Sequence, residues 1–411
     1  MSHPSSPILI VGAGPAGCAC ALQLAELGVP SILIDKATFP RDKICGDALS
    51  GKVISALRHI NPDIPARLHA WQDKSPTYGI RFTSPSGEQL DVPFKLNKPD
   101  ASVLSPGLVA KRMHFDQFLF ELAQEEPLIQ TVEGYSAKTI QRTSEGIQIS
   151  DGERRFQGAA IVGADGAHSI VNKQLGAINF DRNHHSAGVR AYYKGITGFH
   201  EDRYLELHFL KDLLPGYLWI FPLPNGQANV GLGMLSADIA HKQVNLRKQL
   251  SHWVENHPAL KDRFAQAKQI GKTVGFGLPL GSKRYPLSGD RFVLTGDAAA
   301  LIDPFSGEGI GNALYSGRIA ARNLVAALEA GDLSAKQLNS YDKEVYRKLG
   351  PELKLGYQMQ KLIKRPRLFN FLVRKANKHE QLRTIMTTMF DDLEAREQLK
   401  SFSFYWKWLV S

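Results

Sequence analysis

The 411-residue sequence is poor in cysteine and has no long uninterrupted apolar run. Its three cysteines, Cys18, Cys20 and Cys45, make neither a disulfide framework nor a four-thiolate metal site, and their scarcity fits a reducing, cytoplasmic compartment. Nowhere do about 20 apolar residues follow one another, so no bilayer-spanning helix is expected. The opening MSHPSSP has no basic flank, and the apolar stretch from Ile8 is broken by Gly12, Gly14, Pro15 and Gly17, unlike a signal peptide. Neither a G-x-S-x-G elbow nor a Walker A sequence occurs. His184 and His185 are adjacent without a ligand-spaced partner, which reads as a surface pair, and no metal is expected.

What is present is ordinary for a globular protein. Charged residues make up 22% and hydrophobic residues 43% of the chain, which excludes collagen-like and fully disordered classes. The length suits two or three domains. A net charge of +10 favours anionic partners such as nucleotides, nucleic acid or acidic lipid. No nucleic-acid recognition motif accompanies it.

Ile8–Val11 reads as a buried strand running straight into Gly12-Ala13-Gly14-Pro15-Ala16-Gly17. A helix over 16–27, stopped by Gly28, leads to a second strand, Ser31–Ile34, and then Asp35 and Lys36. The G-x-G-x-x-G spacing permits a tight turn, lets a pyrophosphate approach the backbone and packs the helix on its strand, while Asp35 is placed to accept from a ribose. Dinucleotide binding follows, without a choice between FAD and NAD.

Further along, antiparallel and nucleotide-type segments alternate. A hairpin is expected from strands 78–82 and 89–94, and another around Asn225-Gly226, between strands 217–221 and 228–234. Between and after them come a helix over 111–124 and buried strands ending at Asp165-Gly166 and Gly296-Asp297. From Ser334 the pattern is helical, with eight basic residues and no acidic one over 354–378, and an aromatic tail over 402–408.

The glycine fingerprint, the Asp-Gly of Ile161-Val162-Gly163-Ala164-Asp165-Gly166 and the Gly-Asp of Leu294-Thr295-Gly296-Asp297 together resemble the FAD-dependent oxidoreductases built like aromatic hydroxylases. That resemblance implies Asp297 on the ribityl chain, Asp165 near the pyrophosphate, and the loop Pro304 to Gly311 (with Gly307, Gly309 and Ile310) facing the flavin. Arg112 either reaches an FAD phosphate, as family members often do, or is a solvated surface residue. Phe39-Pro40-Arg41-Asp42-Lys43-Ile44-Cys45-Gly46-Asp47-Ala48 and Gly216-Tyr217-Leu218-Trp219-Ile220-Phe221-Pro222 further resemble elements of the geranylgeranyl reductases, over roughly residues 7–330.

The family implies reduction of C=C bonds in a polyprenyl chain by hydride from flavin N5, with Lys43, Cys45 and Gly46 close to the flavin. In a strand, Tyr217, Trp219 and Phe221 share one face, suited to wall an apolar cavity with Pro304. The proton comes from Cys45, Tyr217 or an ordered water, with Tyr217 and Trp219 as further catalytic candidates. Cys45 is otherwise an inert small hydrophobe, the expected role of Cys18 and Cys20. NADPH, NADH or ferredoxin serve equally as reductant. The alternatives are a monooxygenase of the same fold and a non-catalytic prenyl escort.

The expected architecture is α/β: a Rossmann-like, three-layer FAD-binding domain over 1–75, 100–180 and 270–333, an interleaved antiparallel substrate-binding sheet over 76–99 and 181–269, and C-terminal helices over 334–411. The basic helical region is a solvated helix, a dimer contact or, favoured by a lipid substrate, a peripheral membrane contact.

Overall fold

The computed structural model describes residues 6–94 and 105–379. A six-stranded sheet forms the first layer, in the order Ser288–Gly289, Phe292–Leu294, Ile161–Gly163, Ile8–Val11, Ser31–Ile34, Ile129–Val132. All neighbours run parallel except the edge pair Ser288–Gly289 and Phe292–Leu294. Short runs of Ile, Leu and Val are what a strand covered on both faces requires. Helices Pro15–Glu26 and Ile310–Glu329 cross on one face; at their contact Gly317 approaches Ala16 so closely that an added Cβ would lie 2.2 Å from its carbonyl oxygen. A three-stranded antiparallel sheet, Thr139–Thr143, Gly146–Ser150 and Arg155–Gly158, makes the third layer.

A seven-stranded sheet stands beside this core, in the order Lys268–Pro279, His185–Lys194, Gln227–Leu235, Tyr217–Pro222, Leu205–His208, Gly79–Thr83, Gln89–Pro93. Its strands come from two stretches of chain that flank nucleotide-type segments. The expected boundary at 269/270 cuts Lys268–Pro279, which pairs with His185–Lys194 along its length. Hydrogen bonding to His185–Lys194 keeps the whole strand in this sheet. One face of the sheet packs Leu218, Ile220, Val230 and Leu232 against Leu250 and Val254 of helix Leu246–Asn256. On the other face Phe82, Val92 and Leu207 meet Phe369 and Val373 of helix Pro366–Lys378.

The region beyond 334 forms helices Ala335–Lys348, Gly350–Ile363 and Pro366–Lys378. The aromatic tail over 402–408 lies outside the described residues. No described helix is long and apolar enough to cross a membrane. His184 and His185 are half-buried rather than a surface pair: their rings bond to different hydroxyls, Ser282 at 2.8 Å and Ser236 at 2.7 Å.

Candidate functional site

A cavity of about 1130 Å³ opens where the two large sheets meet, at the carboxyl ends of the parallel strands where open α/β sheets bind ligands. Loops following Ile8–Val11, Ser31–Ile34 and Ile161–Gly163 bring Gly12, Gly14, Asp35 and Asp165 to it, and the turn after Phe292–Leu294 brings Gly296 and Asp297. Pro15, Ala16, Lys36 and Gly166 line it as well.

The three fingerprint glycines do different things. An added Cβ on Gly12 would lie 2.4 Å from the Ala164 carbonyl, and one on Gly17 only 1.8 Å from that of Gly12, so both permit close backbone packing. Gly17 is therefore not on the cavity wall. At Gly14 a Cβ would meet only Arg41, at 3.6 Å. Gly14 caps helix Pro15–Glu26 without any side-chain bond, leaving the helix's first amide donors to the cavity.

Asp35 is buried and braces the turn: its two oxygens accept from Ala13 N and Ala37 N, both at 2.9 Å. Each oxygen retains a further acceptor position. Asp165 Oδ2 accepts from Ile170 N at 2.6 Å, whereas its Oδ1 is buried with no partner among the described residues. Burial pushes this carboxyl up from its ordinary pKa. Lys43 Nζ lies 3.7 Å from Asp297 and 3.8 Å from the centre of the Phe276 ring, and burial lowers its pKa. An orphaned carboxylate oxygen, uncapped helix amides and a glycine facing open space are the donor set and the room that a dinucleotide needs. The residues present fit FAD.

Arg112 is neither a surface residue nor single-purpose. It is buried, lines the cavity, and grips Asp116 through Nε at 2.6 Å and Nη2 at 2.8 Å. Asp116 also holds Arg41 at 2.6 Å. Burial opposes the guanidinium's charge, but the Asp116 carboxylate sustains it by charge and by hydrogen bonds. Cys45 lines the cavity beside Gly46, and burial pushes its thiol up, which makes it a poorer acid than an ordinary cysteine.

The strand Tyr217–Pro222 alternates as its sequence demands: Leu218 and Ile220 are wholly buried in the sheet's core, while Tyr217, Trp219 and Phe221 line the cavity. Ile80, Phe94, Leu205, Leu207 and Phe305 extend this apolar wall. Trp219 lies over Gly231 of the neighbouring strand, where an added Cβ would sit 2.2 Å from the indole. Tyr217 Oη donates to the Ser306 carbonyl at 2.5 Å, and burial raises its pKa. Gly307, Gly309 and Ile310 line the cavity, but Pro304 and Gly311 do not. Pro304 is buried and its carbonyl accepts from Gln360 Nε2 at 2.7 Å. Gly311 packs against Lys52 and Glu308, since its Cα points back into the fold.

Sequence reasoning missed the polar groups behind this wall. Asn229 Oδ1 accepts from the Trp219 indole at 2.9 Å, and its Nδ2 donates to the Cys45 carbonyl and to Asp47 Oδ2, each at 2.8 Å. Asp47 is fully buried at φ +69° and also accepts from Tyr192 Oη and Arg112 N. Burial raises its carboxyl to about 6 against those hydrogen bonds. A lone Asn within the apolar run Ala228 to Met234 was the available signal. Arg190 gave none: it is buried on the cavity wall and paired to Asp42 at 2.5 Å. The helix Gly350–Ile363 was also missed. It carries Pro351, Glu352, Leu355, Gly356 and Met359 to the cavity, so the C-terminal helices build part of the site.

Residues 5–348 match the FAD binding domain family, and the chain belongs to that family. Menaquinone reductase of Mycobacterium tuberculosis is 32% identical over 330 residues, which cover 78% of this chain and 76% of that one. Digeranylgeranylglycerophospholipid reductase of Methanocella arvoryzae is 29% identical over 372 residues, covering 87% and 86%. In fold, the chain superposes on a geranylgeranyl bacteriochlorophyll reductase-like protein of Thermoplasma acidophilum with a TM-score of 0.79 at 24% identity, covering 92% and 95%. The protein is an FAD-dependent oxidoreductase.

Proposed function

We propose that this FAD-dependent oxidoreductase reduces C=C bonds of a polyprenyl or similarly long, apolar lipid. The observation that carries the reading is one cavity shared by the dinucleotide-type backbone and an aromatic, aliphatic wall. Names of two relatives, for a menaquinone and for a digeranylgeranyl glycerophospholipid, support a substrate with a long isoprenoid chain. Burial of each methylene-sized unit contributes about 0.8 kcal/mol, so several isoprene units bind without charge recognition.

In this reading the Gly12 to Gly17 turn and the helix amides hold the FAD pyrophosphate, Asp35 a ribose hydroxyl, and Asp297 and Asp165 further hydroxyl or phosphate-linked groups. Bound and reduced, FAD supplies a hydride. Tyr217, Trp219 and Phe221 hold the alkene in a fixed, water-poor place, which matters because an isolated alkene accepts hydride poorly and must be well positioned. Trp219 is kept in place by Asn229 and Gly231. Cys45 and Arg112 close the cavity where the two sheets meet.

The helix Pro366–Lys378 supports a peripheral membrane contact. Its apolar side, Phe369, Val373 and Ala376, is buried on the sheet, while Arg367, Arg374 and Lys378 are exposed beside a solvent-facing Phe371. Each basic residue near an acidic bilayer contributes about 1 kcal/mol. The neighbouring helix, Gly350–Ile363, forms cavity wall, so lipid bound there has a short route inward.

The deciding experiment is anaerobic incubation of dithionite-reduced holoenzyme with geranylgeranyl lipids, followed by mass spectrometry. A gain of two hydrogens per reduced bond is expected. Product formed only with oxygen would overturn the reading in favour of a monooxygenase.

A further inference from the structure

The cavity wall is apolar around Tyr217, Trp219 and Phe221, yet a small group of carboxyls borders it. Asp303, Glu308 and Glu352 all line the cavity, and Lys52 lines it beside them. Lys52 is 1% exposed; its Nζ bonds Glu352 Oε2 at 2.6 Å and also the Asn312 side-chain oxygen. Glu308 Oε1 accepts from Gly311 N at 2.7 Å. Asp303 Oδ1 accepts three bonds, from Phe305 N at 3.0 Å, Ser306 N at 2.7 Å and Ser306 Oγ at 2.8 Å. Its Oδ2 has no hydrogen-bond donor among the described residues and lies against Gly356.

Asp303 and Glu308 both lie close to the Glu352 carboxylate, and negative charge crowded into a buried site is relieved by keeping a proton. Lys52 bonds Glu352, so a proton taken up as the pH falls towards 6 goes to Asp303 or Glu308. The charge that acts most on Asp303 is that of Glu352, from helix Gly350–Ile363, and the Tyr217 phenol faces it from the sheet. Burial, then the Glu352 charge, raises Asp303 to about 6, and burial raises Glu308 as well.

Resting on the function proposed above, we infer that Asp303 is the catalytic acid of this cavity, giving the proton on Oδ2 to the alkene carbon that does not receive the hydride. In the balanced step one carbon takes a hydride from reduced FAD, the π bond breaks, and the second carbon takes H⁺ from the Asp303 O–H. FAD is left oxidised, the alkene saturated and Asp303 ionised, to be reprotonated from water by way of the part-exposed Glu352. The other candidates are weaker donors. Cys45 is made less acidic by burial, and the Tyr217 proton is committed to the Ser306 carbonyl. Asp47, the other buried aspartate raised to about 6, is not on the cavity wall, and both of its oxygens already accept hydrogen bonds.

Asp303→Asn tests this without dismantling the loop, because the amide oxygen can still accept from Phe305, Ser306 N and Ser306 Oγ. The variant holoenzyme should bind FAD as the wild type does by visible absorbance, and should lose one protonated-carboxyl band that titrates near pH 6 in infrared difference spectra. Anaerobic lipid reduction by the prereduced variant should fall at least a hundredfold. In the wild type that rate should decline as pH rises through about 6, and in Glu352→Gln the decline should move to lower pH, because the charge that raises Asp303 is gone. Unchanged infrared bands in Asp303→Asn, or a wild-type rate and pH profile, would overturn the assignment. Wild-type enzyme with full flavin that saturates no lipid would instead overturn the functional reading beneath it.

Discussion

The indole of Trp219 is anchored through Asn229, which donates in turn to the carboxylate of Asp47. The residue facing the cavity is thus held by a buried amide on the next strand, and Asn229 reaches the Cys45 backbone with the same nitrogen. One loop and two strands meet at one side chain.

Replacing Asn229 with Leu strands the Trp219 N–H and takes a donor from the Cys45 carbonyl and from Asp47 Oδ2, which keeps only Tyr192. A buried polar group left unsatisfied costs about 1–3 kcal/mol. The expected result is a melting temperature several degrees lower and a red-shifted, broadened tryptophan emission. Wild-type melting and emission would show that Asn229 does not hold the indole.

Gly14 and Gly17 separate cofactor binding from folding. Gly17→Ala places a methyl 1.8 Å from the Gly12 carbonyl and should prevent stable folding. Gly14→Ala meets nothing closer than 3.6 Å and should leave the melting temperature of the flavin-free protein nearly unchanged. It should nevertheless reduce bound flavin at least tenfold, measured by absorbance after gel filtration, because the methyl occupies the place of a pyrophosphate.

Acid should weaken the seven-stranded sheet through Glu206. Although burial opposes its charge, two hydrogen bonds from Arg263 and the His208 ring hold its pKa down at about 2. A depressed carboxyl stabilises the fold above its unfolded pKa near 4.5, and the contribution is lost as pH falls from there towards 2. Glu206→Gln should cost on the order of 3 kcal/mol near neutrality, where it breaks a buried ion pair. It should also flatten the stability profile over that acidic window in urea titrations.

Charge reversal at Arg367 and Lys378 tests the membrane surface. The double variant should sediment with vesicles containing phosphatidylglycerol at least tenfold less than the wild type, and the wild-type interaction should weaken as salt rises. Activity toward detergent-solubilised lipid should stay as it was. Equal sedimentation of the two proteins would assign the basic face another role.

Elements set by local pattern were legible before the fold was known. Ile8–Val11 and Ser31–Ile34 have the boundaries that their apolar runs suggest, and the alternation from Tyr217 to Phe221 assigned faces correctly. Less was visible where a role depends on distant neighbours. Pro304 and Gly311 belong to the right loop but point away from the cavity, because loop direction follows its anchors, Gln360 and Lys52. The basic C-terminal segment read as surface, and its helix Gly350–Ile363 instead supplies cavity wall.

Composition, spacing and periodicity alone determined a dinucleotide-binding α/β protein with an aromatic strand, since those signals arise from backbone geometry within a few residues. Only the tertiary structure decided which charges share a pocket. Lys52, Asp303 and Glu352 lie far apart along the chain, and their protonation depends on burial and on distances of a few ångströms, which folding alone creates.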